Sequence, residues 1–242
     1  MSNSLYVIIT AGGRGTRMGA PLPKQFLLLG GKPVLRRTLE TFARALPQAK
    51  LIVVLPQDQM AWWRDYCERA SFICPQTLVA GGITRFHSVR AALSKVPQDA
   101  LVIIHDAVRP FVSEDLIREM VRRMEHCRAL IPVLPITDTL CELERRPDGA
   151  LETASGAAPD RNRIFAVQTP QMFRSADILD AYRQPYDTSF TDDGSVVLKK
   201  GIPLSYIEGE RYNIKLTTRE DMLLGEFILS LKSQQSAGQS TL

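Results

Sequence analysis

The chain has 242 residues, 45% of them hydrophobic and 23% charged, with a formal net charge of +4. That is the composition of a soluble globular protein of one α/β domain or two smaller units, and no apolar run approaches the ~18 residues that span a bilayer. The positive excess is mild and gathers near glycine-rich loops, not in a long basic tract, which argues against nucleic acid as a partner. Cys67, Cys74, Cys127 and Cys141 are scattered, with no CxxC pair and no metal-ligand spacing, so they read as reduced thiols of a cytoplasmic protein.

The first expected element is a strand at residues 5–10 (LYVIIT). The residues before it carry no basic n-region, and the apolar run passes directly into a glycine turn, so it reads as a strand and not as a signal peptide. Residues 11–24 follow as AGGRGTRMGAPLPK, glycine-rich and carrying Arg14, Arg17 and Lys24. Glycine lets backbone N–H groups approach a phosphate chain closely, and the cations supply charge that backbone dipoles lack. The segment is either a polyphosphate cradle or a basic turn at the top of a sheet. It lacks the third glycine of G-x-G-x-x-G, that position being Met18, and no Gly-Lys-Ser/Thr closes a P-loop.

Leu35, Leu39, Phe42 and Leu46 then fall on one helical stripe. Short apolar runs at residues 51–55, 78–80, 101–105 and 129–134 read as parallel strands covered on both faces. After the second of these comes Gly81-Gly82-Ile83-Thr84-Arg85-Phe86-His87-Ser88, a glycine pair at a helix entrance, either a seat for a flat base or simply a turn. After the third comes His105-Asp106-Ala107-Val108-Arg109-Pro110. An aspartate at the carboxyl end of a parallel strand lies where open α/β sheets bind ligands. Asp106 is therefore either a Mg²⁺ ligand facing phosphate oxygens, or a cap of the next segment or partner of Arg109.

Ser113 followed by Glu114 and Asp115 predicts a helix start, with Leu116, Met120 and Met124 on its apolar stripe. Residues 137–161 break the alternation around Pro147-Asp148-Gly149 and read as a β-hairpin arm that leaves the main sheet. Such an arm has little core of its own, so it is expected to pack on a second subunit, the alternative being a flexible surface excursion. Thr217-Thr218-Arg219-Glu220 fits a capping box before a last helix through Met222, Leu223, Phe227 and Leu231. The polar residues 233–242 are expected to be a disordered tail after a single domain spanning 1–232. The βα alternation predicts an α/β fold with a doubly wound, mostly parallel sheet.

A-G-G-x-G-T-R-M with Pro23-Lys24 resembles the N-terminal signature of nucleotidyltransferases that make nucleotide-diphosphate sugars and alcohols. HDAxRP, GGxxRxxSV, Asp160-Arg161-Asn162 with Thr169-Pro170-Gln171-Met172-Phe173, Thr191-Asp192 and Asn213-Ile214-Lys215 follow in one order. Over residues 5–231 that order resembles the 2-C-methyl-D-erythritol 4-phosphate cytidylyltransferases of the non-mevalonate isoprenoid pathway.

The resemblance implies a Rossmann-like fold of the nucleotide-diphospho-sugar transferase type and transfer of CMP from CTP to a polyol phosphate. It implies that Ala11, Gly12, Gly13, Gly81, Gly82, Ser88, Asp106 and Ala107 line the CTP site, and that Asp106 holds Mg²⁺ or another divalent ion. Arg17, Lys24, Arg161 and Lys215 would be catalytic, with Arg161 and Lys215 also orienting the methylerythritol phosphate. Thr169 would lie near that substrate, while Arg109 and Thr139 would reach the neighbour's substrate across a homodimer joined by the hairpin arm. The chain departs from the family at Thr84, where Glu is usual, and at Tyr212, where an acid is usual. Tyr212 keeps ribitol 5-phosphate open as the acceptor. A UTP- or dTTP-dependent sugar-1-phosphate enzyme and a non-catalytic nucleotide-binding protein are the remaining alternatives.

Overall fold

Side chains of β1 (Ser4–Thr10) alternate between two helical layers in the computed structural model, which describes residues 4–13, 22–154 and 159–239. Leu5, Val7 and Ile9 pack with Leu39 and Phe42 of α1 (Val34–Ala45), Trp63 of α2 (Met60–Arg69) and Met120 of α4 (Glu114–Arg123). Tyr6 and Ile8 point the other way. They pack with Phe86 and Val89 of α3 (Arg85–Leu93), Ile178 of α5 (Ser175–Ala181) and Val196 of α6 (Asp193–Lys199). Val7, Ile8 and Ile9 are completely buried, and each such side chain contributes roughly 1.5–3 kcal/mol. The two-sided core is what a strand apolar on both faces requires.

β1 lies between β4 (Lys50–Leu55) and β6 (Ala100–Asp106), parallel to both, and β5 (Gln76–Ala80) extends the sheet beyond β4. The five parallel strands read from the sequence are therefore present, with β7 (Ala129–Pro135) as the fifth. They are not all neighbours. β11 (Gln171–Arg174) inserts antiparallel between β6 and β7, and β7 also pairs with β10 (Phe165–Val167, antiparallel) and β12 (Ser205–Glu208, parallel). The result is a mixed, mostly parallel α/β sheet of eight strands. The insertion carries Thr169 back to the end of β6.

Ser113 caps α4 by accepting from the Leu116 N–H at 2.9 Å, as its sequence signature predicts. β8 (Leu143–Arg145) and β9 (Leu151–Thr153) form the expected hairpin, with Gly149 at φ +87° in its turn. A small ribbon of β2 (Leu28–Leu29) and β3 (Lys32–Pro33) supports α7 (Arg219–Gln239).

Three details of α7 differ from the sequence reading. The helix continues through Ser233 to Gln239, where a disordered tail is expected, because Gln and Ala extend a helix at little cost. Its cap is one residue later than expected: Thr218 Oγ accepts from the Asp221 N–H, and Asp221 accepts in return from the Thr217 and Thr218 N–H groups. Its buried face carries Gly225 and Ile228, leaving Leu223 and Phe227 exposed. A Cβ on Gly225 would stand 3.0 Å from Leu29, so glycine sets the close approach and with it the rotation of the helix.

Candidate active site

At the carboxyl ends of β1, β5 and β6 the chain leaves the sheet in three turns that surround a cleft of about 310 Å³. Gly12, Gly13, Lys24, Gly82, Ser88 and Asp106 are on its wall. Gly82 is sterically required there, since a Cβ would stand 2.5 Å from His87 Cβ. Ser88 Oγ accepts from the Gly82 N–H at 3.1 Å, tying the glycine pair to the first turn of α3. Thr84 caps that helix and bonds His87 Nδ1 at 2.8 Å, which accounts locally for a threonine where the resembled family has an acid.

Lys24 begins a 3₁₀ turn and passes Gly13, its Cε 3.5 Å from where a Cβ would be. The next residue fixes the turn. Gln25 is buried and its Nε2 donates to the Ala11 carbonyl at 2.9 Å and to Gln59 Oε1 at 2.8 Å. Phe26 packs against Trp62, the rings tilted by 32° with centroids 4.2 Å apart. Arg14 and Arg17 lie outside the described residues.

Asp106 is the electrostatic centre. Lys215 Nζ is 2.8 Å from one carboxylate oxygen, Arg109 Nε is 3.8 Å from the same oxygen, and Arg85 Nε is 3.5 Å from the other. Burial works to raise the Asp106 carboxyl, but the charges of Arg85, Lys215 and Arg109 outweigh it and hold it well below the usual carboxylate range. Three cations around one carboxylate leave a positive surplus that suits phosphate.

A hydrogen-bond chain fixes the backbone here. The Asp106 N–H donates to Thr169 Oγ at 3.1 Å, and Thr169 Oγ lies 3.0 Å from His105 Nδ1. His105 Nε2 is 3.0 Å from the Arg109 carbonyl, which can only accept. His105 is fully buried, and burial pushes its imidazole down to about 4. The neutral ring therefore carries its proton on Nε2 and accepts from the Thr169 hydroxyl through Nδ1. The Arg109 guanidinium in turn donates to the Asn213 carbonyl at 2.7 Å, joining the end of β6 to the loop that bears Lys215.

A second cleft of about 250 Å³ opens beside the first, with Arg109, Gln168, Thr191 and Asp192 on its wall. Arg85, Asp106 and Lys215 line both clefts. Two ligand-sized spaces thus meet at one carboxylate and two cations. Asp106 also fits Mg²⁺, which typically takes one or two carboxylates and fills its shell with phosphates and waters. Among the described residues no group of three His, Cys, Asp or Glu side chains gathers as an all-protein cage.

Ala11, Gly12, Gly13, Gly82, Ser88, Lys24, Lys215, Asp106 and Thr169, all singled out in the sequence, therefore lie around the two clefts. Gly81 sits just behind the first cleft, its N–H donating to the Leu55 carbonyl. Four residues depart from the expected roles. Ala107 is completely buried, with its N–H bonded to Thr10 and its carbonyl to Thr38, so it presents nothing to a nucleotide. Arg161 is exposed and lines neither cleft of its own chain, whereas Arg109, expected at the neighbour's substrate, lines the second cleft of its own; Thr139, also expected at the neighbour's substrate, is exposed and lines neither. Arg85, Gln25 and Asp193 are the residues that sequence reasoning left without a role; Arg85 stood inside a quoted motif, but its partner is 108 residues away.

The family model of 2-C-methyl-D-erythritol 4-phosphate cytidylyltransferase (IspD) matches residues 5–231. A protein of that name from Bacteroides thetaiotaomicron is 44% identical over 223 residues, covering 92% of this chain and 98% of its own. Its Porphyromonas gingivalis counterpart is 44% identical over 231 residues, covering 95% and 100%. Among solved structures, the Thermus thermophilus enzyme of the same name superposes with a TM-score of 0.73 at 30% identity, covering 93% of this chain and 98% of that one. The 4-diphosphocytidyl-2C-methyl-D-erythritol synthase of Anaerococcus prevotii gives 0.76 at 28% identity, covering 94% and 96%. With two clefts meeting at Asp106 and a match over nearly its whole length, the chain belongs to the 2-C-methyl-D-erythritol 4-phosphate cytidylyltransferase family.

Proposed function

We propose that the two clefts meeting at Asp106 are the CTP and methylerythritol phosphate sites of a CTP:2-C-methyl-D-erythritol 4-phosphate cytidylyltransferase. The sharing of Arg85, Asp106 and Lys215 by both clefts carries this reading. An oxygen of the acceptor phosphate attacks the α-phosphorus of CTP, and the bond to the bridging oxygen breaks with its electron pair leaving on pyrophosphate. The products are 4-diphosphocytidyl-2-C-methyl-D-erythritol and pyrophosphate, in isoprenoid precursor synthesis. A phosphate monoester is already anionic near neutral pH, so no general base is needed.

The barrier is the approach of two polyanions, and phosphoryl-type transfer depends mainly on positioning and electrostatic stabilisation. Well-oriented reactants gain roughly 7–11 kcal/mol from avoided entropy and reorganisation. Gly12, Gly13, Gly82 and Ser88 seat the nucleotide, while Arg17 and Lys24 act at the reacting phosphate. Lys215 and Arg109 are held by Asp106 and turn to the acceptor when it arrives. Asp106 would hold Mg²⁺, which supplies charge neutralisation on the triphosphate when bound. All four cysteines are free thiols, consistent with the reducing cytoplasm as the site of action.

Arg161 and Thr139 serve a neighbouring subunit in this reading. The arm exposes Leu143 and Leu151, and an open surface of comparable character lies at Phe165, Val167 and Tyr206. Exposed apolar surfaces of this kind suit a homodimer. Mixed subunits test the arrangement. Arg161→Ala and Lys215→Ala homodimers should each be nearly inactive, whereas mixing and re-equilibrating the two should restore activity through one intact site per heterodimer. No restoration, despite mixed dimers, would contradict action of Arg161 in the partner's site.

A further inference from the structure

Arg85 occupies a position that helix stability does not favour. It is the first residue of α3, where a cation opposes the helix dipole, and Thr84 already provides the cap. Its guanidinium makes a two-pronged ion pair with Asp193, at 2.8 Å to one oxygen and 2.6 Å to the other. Asp193 is completely buried and also accepts from the Tyr182 hydroxyl. A buried ion pair gives little net stability compared with apolar packing of the same volume, so stability alone does not explain the pair.

Its location does. The third donor of the fork, Nε, faces Asp106 at 3.5 Å, and Arg85 lies on the wall shared by both clefts. Lys215, the other shared cation, is a long side chain that is 42% exposed and held by one contact to Asp106. Arg85 is held from behind. Asp193 is itself fixed, because it is the first residue of α6, whose entrance is clamped by Gln171. Gln171 donates to Asp192 at 2.7 Å and accepts from the Gly194 N–H at 2.9 Å.

We propose that Asp193 is a positioning residue, which locks Arg85 at the junction of the two clefts so that Arg85 orients Asp106 toward both substrates. The pair, joined across 108 residues of chain, keeps the geometry of the reacting centre while Lys215 and Arg109 exchange the carboxylate for phosphate. This rests on the nucleotidyl-transfer reading of the clefts.

The test compares Asp193→Asn, Arg85→Gln and the double variant, reading kcat, KM for CTP and thermal midpoint, with pyrophosphate release by the unaltered protein as the reference. Arg85→Gln leaves the buried Asp193 carboxylate without its ion partner, and Asp193→Asn takes the two-pronged partner from Arg85, so each single change lowers the midpoint. The double variant, with two neutral amides facing each other, should regain much of that stability. Its kcat should nevertheless stay about 10- to 100-fold down, the scale of a misplaced reacting group, with KM for CTP changing far less. It should be no slower than Arg85→Gln alone, since Asp193 acts through Arg85. Arg85→Lys should not restore turnover, because an ammonium cannot make the fork.

Recovery of kcat together with the midpoint would overturn the proposal, and so would losses that multiply in the double variant. Where a single variant does not fold, Tyr182→Phe keeps the ring stacked on Phe86, whose centroid is 4.7 Å away, and removes only the hydroxyl held on Asp193. A smaller kcat loss that disappears in the Arg85→Gln background supports the proposal; an equal loss in both backgrounds overturns it. Absence of pyrophosphate release by the unaltered protein would instead overturn the transfer reading beneath it.

Discussion

Asp106 and Arg161 are assigned to one reaction, yet they sit in opposite surroundings. Around Asp106 the chain is tied together by hydrogen bonds and ion pairs: backbone to Thr169, carboxylate to Lys215, and flanking residues to one another through His105, Arg109 and Asn213, with Arg109 Nε and Asn213 Oδ1 left buried without a hydrogen-bond partner. The arm that leads to Arg161 is a three-residue by three-residue hairpin whose strand residues are all exposed. The first region takes its internal bonds from one chain. The second has turn chemistry but no core, so its geometry depends on what it packs against.

Four changes probe that contrast, from the largest expected effect to the smallest. Lys24→Ala should lower kcat by about 10²-fold or more, the scale of losing one preorganised charge donor; near-normal steady-state turnover would remove it from the catalytic role. Thr169→Val strips the hydroxyl between the Asp106 N–H and His105. Each orphaned buried group costs about 1–3 kcal/mol, so both kcat and the thermal midpoint should fall. A raised KM for the acceptor phosphate with an unchanged midpoint would make Thr169 a substrate ligand instead.

The arm should respond differently. Leu143→Asp with Leu151→Asp should leave the melting of the main fold nearly unchanged while shifting the protein toward monomer in sedimentation and reducing turnover. An intact, active dimer would break the contrast. Gly149→Ala is the mildest change. It forces a side chain into φ +87°, a strain of about 1–3 kcal/mol confined to the turn. Faster hydrogen exchange in residues 143–153 alone is the expected result, and faster exchange elsewhere in the sheet as well would show that the arm is not independent.

Features written in a short stretch of chain were legible in the sequence: the strand ends, the Ser113 cap, the Pro147-Asp148-Gly149 turn and the order of motifs around Lys24, Asp106 and Lys215. What was hidden was pairing at a distance. Gln171-Met172-Phe173 stands out as a motif, and nothing local says that it is also the strand wedged antiparallel between β6 and β7. Arg85 and Asp193 look like two surface charges until the fold joins them, and Gln25 gives no sign that it clamps Ala11 to Gln59. The rotation of α7 was missed because Gly225, with no side chain to score, decides which face is buried. Thr84 and Tyr212 depart from the family pattern in different ways. Thr84 has a local job as helix cap, while Tyr212 is largely exposed and nothing in the structure explains it.

The most direct test is pyrophosphate release measured for each nucleoside triphosphate paired with each candidate acceptor, including methylerythritol 4-phosphate, ribitol 5-phosphate and a sugar 1-phosphate. Two clefts meeting at Asp106 in a member of this family predict rapid release with CTP and methylerythritol 4-phosphate together, and little with any other pair. Equal or faster release with ribitol 5-phosphate, or with UTP and a sugar 1-phosphate, would contradict that assignment.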